Sequence, residues 1–187
     1  MIVLLLLAIF GCAAVVLITV SIRFESGARA DAVVLEWIQD RLPESSGKRR
    51  KKIDTMMRDV TAMGGDTVTA LLALCGSAIL IAQGSKGSLW PFLLTLGLAR
   101  GTGWILKKAI RRPCPAQAGH ALDIFTSSFS SVHTAMGFVS TFVIMFFLAP
   151  TAGAAGAALA VASFASALIG LTRLYFAVHW PLDVLAG

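Results

Sequence analysis

Thr172-Arg173-Leu174-Tyr175-Phe176-Ala177-Val178-His179-Trp180-Pro181-Leu182-Asp183 sets an arginine, a histidine and a carboxylate inside an otherwise apolar run. Pro181 fits the first position of a helix, where its missing N–H costs no hydrogen bond, so His179 falls just before a helix start and Asp183 in its first turn. From there the carboxylate can reach back to the imidazole. A carboxylate that accepts a hydrogen bond from one ring nitrogen fixes the tautomer and leaves the other nitrogen free to act as base or nucleophile. Arg173, six positions before His179, is placed to hold an anion in front of that nitrogen. A second reading stays open on this stretch alone: Arg173 snorkelling to a lipid headgroup, His179 and Trp180 in an interfacial belt, and Asp183 as a helix cap.

The sequence around this stretch is 57% hydrophobic and 14% charged, with a mean hydropathy of +0.80. Those values describe a membrane protein rather than a soluble domain. The formal charge of +6 is concentrated in residues 48–52 and in Lys107, Lys108, Arg111 and Arg112. Basic clusters beside apolar segments point to anionic headgroups or phosphates and not to nucleic acid. Cys12, Cys75 and Cys114 are odd in number and far apart, so they give neither a disulfide framework nor a metal-ligand spacing.

The expected fold is all-α, a multi-pass membrane helix bundle that forms a single domain over residues 1–187. Residues 1–22 carry no charge and suffice to cross about 30 Å of hydrocarbon as a retained first span. Residues 23–66 mix charges with Val33, Val34, Leu35, Trp37 and Ile38, which fits an interfacial amphipathic helix broken at Pro43 and followed by turn residues Ser45, Ser46 and Gly47. A second charged helix is expected from Lys48 to Met63, ending at Gly64-Gly65. That segment is read first as a solvated basic stretch, with a headgroup-facing lid as the alternative. Residues 67–85, 88–106, 132–150 and 151–172 supply spans two to five, and a sixth begins at Pro181 and is cut short at Gly187. Arg100 interrupts the third span and should face protein or water, with Asp66 or Asp123 as its partner.

Consecutive spans alternate direction. The cluster at 107–112 ends span three, the cluster at 127–133 begins span four, and 173–183 joins spans five and six. All three therefore emerge on one side of the membrane. In the middle cluster, Ser127, Ser128, Ser130 and Ser131 precede a long apolar helix whose first turn holds His133. Serines there act as N-caps, and a helix start offers unpaired N–H groups to an anion; a capped helix with an interfacial histidine is the plainer alternative. Taken together, the face offers two histidines, a carboxylate, several cations and serine hydroxyls. That set suits phosphate ester hydrolysis, with cations and N–H groups on the phosphoryl oxygens, one imidazole attacking and the other protonating the leaving oxygen. No HExxH, Cys/His or clustered carboxylate pattern is present to hold a metal, and no cofactor is expected.

The order Lys/Arg-Pro, Ser-x-His, Arg-x5-His-x3-Asp resembles the type 2 phosphatidic acid phosphatase (PAP2) family, the membrane relatives of the vanadium haloperoxidases. The resemblance implies that His179 is the nucleophile that becomes phosphorylated, that Asp183 orients it, and that His133 protonates the leaving group. It places Lys107, Ser131 and Arg173 on the phosphate, together with the backbone N–H of Val132. The chain departs from the family's signatures in three ways. The first-signature arginine falls on Cys114, so Arg112 is the candidate to supply its charge. Ser130 and Val132 stand where the second signature has Pro and Gly, and valine adds bulk near the headgroup. Thr172 replaces a serine and keeps the hydroxyl.

The resemblance implies a lipid phosphate phosphatase acting on a phosphatidate-like or polyprenyl (di)phosphate, with membrane lipids as the other partners. Cys114 and Val132 motivate an alternative, a non-catalytic relative that binds lipid phosphates or scaffolds partners. A small transporter is a third reading, for which Arg100 is the one mid-membrane charge. The positive-inside rule, counted on residues 48–52 against Lys86, would put the site in the cytoplasm. The resemblance instead favours a cell-membrane protein whose site face is extracytoplasmic.

Overall fold

The computed structural model describes residues 2–42, 47–115, 127–148 and 153–187. Among them are eight helices and no strand: α1 (Ile2–Ser21), α2 (Glu25–Gln39), α3 (Lys48–Ala62), α4 (Asp66–Ala82), α5 (Lys86–Ile110), α6 (Val132–Leu148), α7 (Ala154–Tyr175) and α8 (Pro181–Leu185). The expected break at Pro43, the turn at Ser45 and Ser46, the boundary at Pro150 and Thr151, and Asp123 lie outside the described residues.

The bundle is centred on α6 and α7, with α5 and α4 packed on α6 and the charged helices α2 and α3 laid against the end of α7. Leu80, Phe92, Leu96, Val132, Met136 and Val143 form its core. Small residues let the helices approach closely, as the Ala/Gly content of α7 leads one to expect. Ala158 and Ala162 are fully buried, and the methyl tip of Ile169 fills the space above Gly137. Large apolar side chains also face outward, Leu74, Trp90 and Phe164 among them. Ala155–Tyr175 is long and apolar enough to cross a membrane, and Val132–Leu148 is a shorter apolar helix.

The polar segments take defined positions. On α2, Asp31 and Leu35 are the buried residues, one helical turn apart, while Val33, Val34 and Trp37 are exposed. Gln39, one turn further on, donates to the carbonyls of Leu174 and Tyr175 at 2.8 and 3.2 Å. The reading of 48–63 as a solvated stretch is corrected here. Lys48, Arg49, Lys51 and Lys52 are indeed exposed, but the opposite side of α3 is docked on α7. Tyr175 Oη donates to Asp54 at 2.6 Å, and Arg50 pairs with the same carboxylate at 3.0 Å while lying over the Tyr175 ring. Spacings of four residues put Arg50, Asp54 and Arg58 on one side of the helix, so one face carries the docking groups and the other the exposed lysines.

α3 and α4 meet at a 44° bend. Gly64, in that bend, lies so close to the His133 carbonyl that any side chain there would collide with it. Arg100 pairs with Asp66 at 2.7 Å, the first of the two partners expected for it, and both side chains are largely exposed.

Candidate active site

Three segments distant in sequence are tied into one surface. α5 runs to Ile110 and ends on Arg111 in the left-handed region (φ 49°, ψ 40°); Pro113 and Pro115 keep the following backbone out of a helix. Lys107 and Lys108 are thus helical, and Arg112 to Pro115 irregular. This irregular strand is stitched to the approach to α6, because the Ser128 N–H donates to the Arg112 carbonyl at 2.8 Å and the Ser128 hydroxyl reaches the Pro113 carbonyl at 3.1 Å. Lys107 Nζ donates to the Ser127 carbonyl at 2.6 Å. The Ser131 N–H donates to the Asp183 carbonyl at 3.0 Å, and Trp180 Nε1 to the Pro113 carbonyl at 3.0 Å.

The turn that carries His179 follows from how α7 ends. Val178 N–H bonds the Arg173 carbonyl and Ala177 N–H the Leu174 carbonyl, with Ala177 at φ 51°. This is the Schellman arrangement, which reverses the chain after a helix. Arg173 stays on the last turn of α7 while His179 is turned back toward it. Trp180 then precedes Pro181 at the start of α8, and the Asp183 carboxylate accepts the Trp180 N–H at 3.1 Å.

Asp183 is wholly buried, and its Oδ2 lies 3.9 Å from His179 Nδ1. That is ion-pair distance, longer than the hydrogen bond expected from the spacing. The carboxylate is held elsewhere, by the Trp180 N–H and by Arg112 at 2.7 Å on Oδ1. Nδ1 facing Asp183 leaves Nε2 as the second, outward nitrogen. Burial pushes the His179 imidazole below its ordinary range, against the opposing pull of Asp183. It is faced by Arg173 and Lys107 as well, while His133 is faced by Arg173, His179, Asp66 and Lys107.

The phosphate candidates fall into two groups. Lys107 and Arg173 act electrostatically on both histidines. Arg173 is buried, and its Nη1 donates to the Thr61 hydroxyl of α3 at 3.2 Å; its Nε has no hydrogen-bond partner among the described residues, and neither has Ser127 Oγ. Arg112 and Ser131 are engaged within the fold. Arg112 bridges Asp183 and Asp31 at 2.7 and 2.6 Å and lies over the Trp180 ring, so its terminal nitrogens are committed to carboxylates. The Ser131 hydroxyl pairs with Thr134 at 2.8 Å rather than with a backbone N–H of α6.

Two departures from the signatures take physical form. Val132 packs on α5: its Cγ2 lies where a side chain on Gly103 would be, 2.7 Å from the position of such a Cβ. Cys114 lies among Lys107, Asp183 and Arg173, and burial raises its thiol above the ordinary value, with Lys107 acting against that. A neutral thiol therefore stands near two cations.

Asp31, Thr61 and Gly64 were not singled out by their residue types. Asp31 did carry a signal. It sits on the apolar stripe of an amphipathic helix, where an acid must find a cation when the stripe docks.

An all-helical bundle thus carries two histidines, a buried carboxylate and several cations on segments that meet. The chain belongs to the PAP2 superfamily, whose family model matches residues 88–187. The fold is similar to the crystal structure of the first transmembrane PAP2 type phosphatidylglycerolphosphate phosphatase from Bacillus subtilis. The two agree with a TM-score of 0.81 over 95% of this chain and 87% of that chain, at 20% identity. No curated protein matches the chain.

Proposed function

We propose that this protein is an integral-membrane lipid phosphate phosphatase that hydrolyses a phosphatidate-like or polyprenyl (di)phosphate through a phosphohistidine. The observation that carries the reading is the gathering of Lys107, His133, Arg173, His179 and Asp183, from four segments, at one end of the bundle. Membership of the PAP2 superfamily supports the reaction class.

In the proposed reaction, His179 Nε2 attacks the terminal phosphorus, and its P–O bond to the leaving group breaks, that group being the lipid alcohol of a monophosphate or the lipid phosphate of a diphosphate. The leaving oxygen takes a proton from His133. Water then attacks the phosphohistidine, giving a proton to His133. The P–N bond breaks, inorganic phosphate leaves, and the imidazole is restored. Lys107, Arg173 and the Val132 N–H in the first turn of α6 hold the phosphoryl oxygens. Asp183 steadies the imidazolium character that develops at His179. Arg112 and Ser131 enter the proposal as groups that hold the site together.

The same proposal includes one domain over residues 1–187. In it, α1, α4, α5, α6, α7 and the segment begun by α8 are six spans, α2 lies at the interface, and the site face is extracytoplasmic. The outward Leu74, Trp90 and Phe164 support a lipid-facing surface.

The deciding experiment is phosphate release by the purified protein in detergent, with a chelator present, beside a His179→Ala variant. Phosphatidate, undecaprenyl diphosphate and phosphatidylglycerol phosphate are the substrates, the last because the structural neighbour bears its name. Release that disappears in the variant is the expected result. Wild-type release no greater than the variant's, on every substrate, sinks the reading in favour of a lipid-phosphate binder.

A further inference from the structure

The buried charges behind Asp183 extend further than the family's signatures do. Asp31, on the amphipathic helix α2, is 1% exposed and makes two contacts. Its Oδ2 pairs with Arg112 at 2.6 Å, and its Oδ1 accepts the Leu182 N–H at 2.9 Å. Leu182 is the residue before Asp183, in the first turn of α8. Arg112 in turn pairs with Asp183 Oδ1 at 2.7 Å, and the other oxygen of that carboxylate faces His179. One acid on a peripheral helix thus grips both the guanidinium and the backbone that place the carboxylate behind the nucleophile. Nothing else on α2 is both charged and buried.

We infer that Asp31 is a positioning residue of the active site, which through Arg112 fixes the orientation and the effective charge of the Asp183 carboxylate against His179. The inference rests on the phosphohistidine reading above. A guanidinium shared between two carboxylates withdraws less charge from either than one devoted to a single partner. With Asp31 ionised, Arg112 is neutralised from behind, and Asp183 keeps enough negative charge to favour a proton on His179 as the reaction demands. Without it, Arg112 acts on Asp183 and His179 as an uncompensated cation. The charged groups that face His179 are Asp183 from α8, Arg173 from α7 and Lys107 from α5, with His133 from α6. Two of these are cations, so the balance at the imidazole depends on the acids behind it.

The test is Asp31→Asn, which keeps an acceptor for the Leu182 N–H but loses the charge on Arg112. The readouts are kcat and KM for lipid phosphate hydrolysis across pH, and the titration of His179 followed by NMR with ring-labelled histidine, its resonance assigned by loss in His179→Ala. We expect kcat to fall about 10-fold with KM unchanged. The acid limb of the kcat profile and the His179 titration should both move to lower pH, since an extra net positive charge disfavours imidazolium. Asp31→Glu, which can still pair with Arg112, should recover part of the loss. An Asp31→Asn protein with the wild-type titration of His179 overturns the inference, whatever its activity. If Asp31→Asn does not fold in detergent, Arg112→Lys reads the same path, because an ammonium cannot bridge the two carboxylates as the fork does; an unmoved His179 titration in that variant overturns the inference equally. The titration needs no turnover. A wild-type protein that releases no phosphate therefore sinks the proposed function while the NMR still decides the role of Asp31.

Discussion

Two sets of charged groups meet at His179, and they are satisfied differently. Behind Nδ1 lie Asp183, Arg112 and Asp31, joined to each other and to the Trp180 and Leu182 N–H groups at 2.6 to 3.1 Å. Beside the imidazole lies Arg173, which donates to Thr61 at 3.2 Å and whose Nε has no partner among the described residues. Both sets are buried, so exposure does not explain the contrast. Saturated charges in a low-dielectric setting are held in place, because any movement leaves one of them uncompensated. A buried guanidinium with donors to spare is a different device. Its unused N–H groups match the oxygens of a phosphoryl group, and an anion there replaces hydration that the fold has removed. Under the proposed function, the difference gives alignment of the nucleophile to one set and charge neutralisation of the substrate to the other.

The sharpest way to break that division is Asp183→Asn. An amide retains the size of the side chain but cannot pair with Arg112 or stabilise imidazolium, and phosphate release should fall about a thousandfold. The loss should lie in kcat, since the groups assigned to substrate are untouched. In the proposed reaction the neutral imidazole is the nucleophile, so protonating His179 should stop the wild-type enzyme as pH falls. Burial holds that group below its ordinary value, so the acid limb of kcat/KM should lie below about 6.5. A limb well above that value would mean that Asp183 dominates burial at His179.

Arg173→Lys probes the other set. Lysine keeps the charge but loses the fork that places several donors around one phosphoryl group, and kcat/KM should fall about 100-fold. If the two sets are distinct, the acid limb should stay close to its wild-type position, apart from a small change due to the altered cation. The same division places Thr61→Val lower on the scale. Its single hydrogen bond is worth about 1 kcal/mol, which is about a 5-fold loss, felt in KM as Arg173 becomes less well aimed. A Thr61→Val enzyme equal to wild type would make α3 a structural neighbour of the site and no more.

How far these sets were legible in the sequence follows from what periodicity carries. The apolar stretches mark most helix bodies to within a few residues, and counting crossings puts the three clusters on one face before any contact is known. Arg173, His179 and Asp183 were readable because a turn and a helix start fix their relation locally. Asp31 was not, since its partner Arg112 is 81 positions away and a helix's period tells which face docks but not what it meets. The ion pairs of Arg112 are hidden from the sequence for the same reason. Its place beside a proline matched a phosphate ligand, while two acids that the motif does not include claim its donors. On α3, the charge run reads as solvated because four exposed basic residues outnumber the few groups that bind α7.

Val132 tests the boundary between site and scaffold, and it carries the smallest expected effect on activity. The residue stands where the family's signature has glycine, so by sequence alone Val132→Gly should relieve crowding and raise activity. The structure packs the isopropyl group against Gly103 of α5, with 5% of the residue exposed. Removing it opens a void between α5 and α6 that a glycine backbone opposite cannot fill. Stability should fall by about 2 kcal/mol, read as a lower Tm in detergent, while kcat/KM changes by less than about 2-fold. The substrate contact assigned to this position is its N–H, which glycine also has. A marked rise in activity would show that the side chain reaches the phosphate after all.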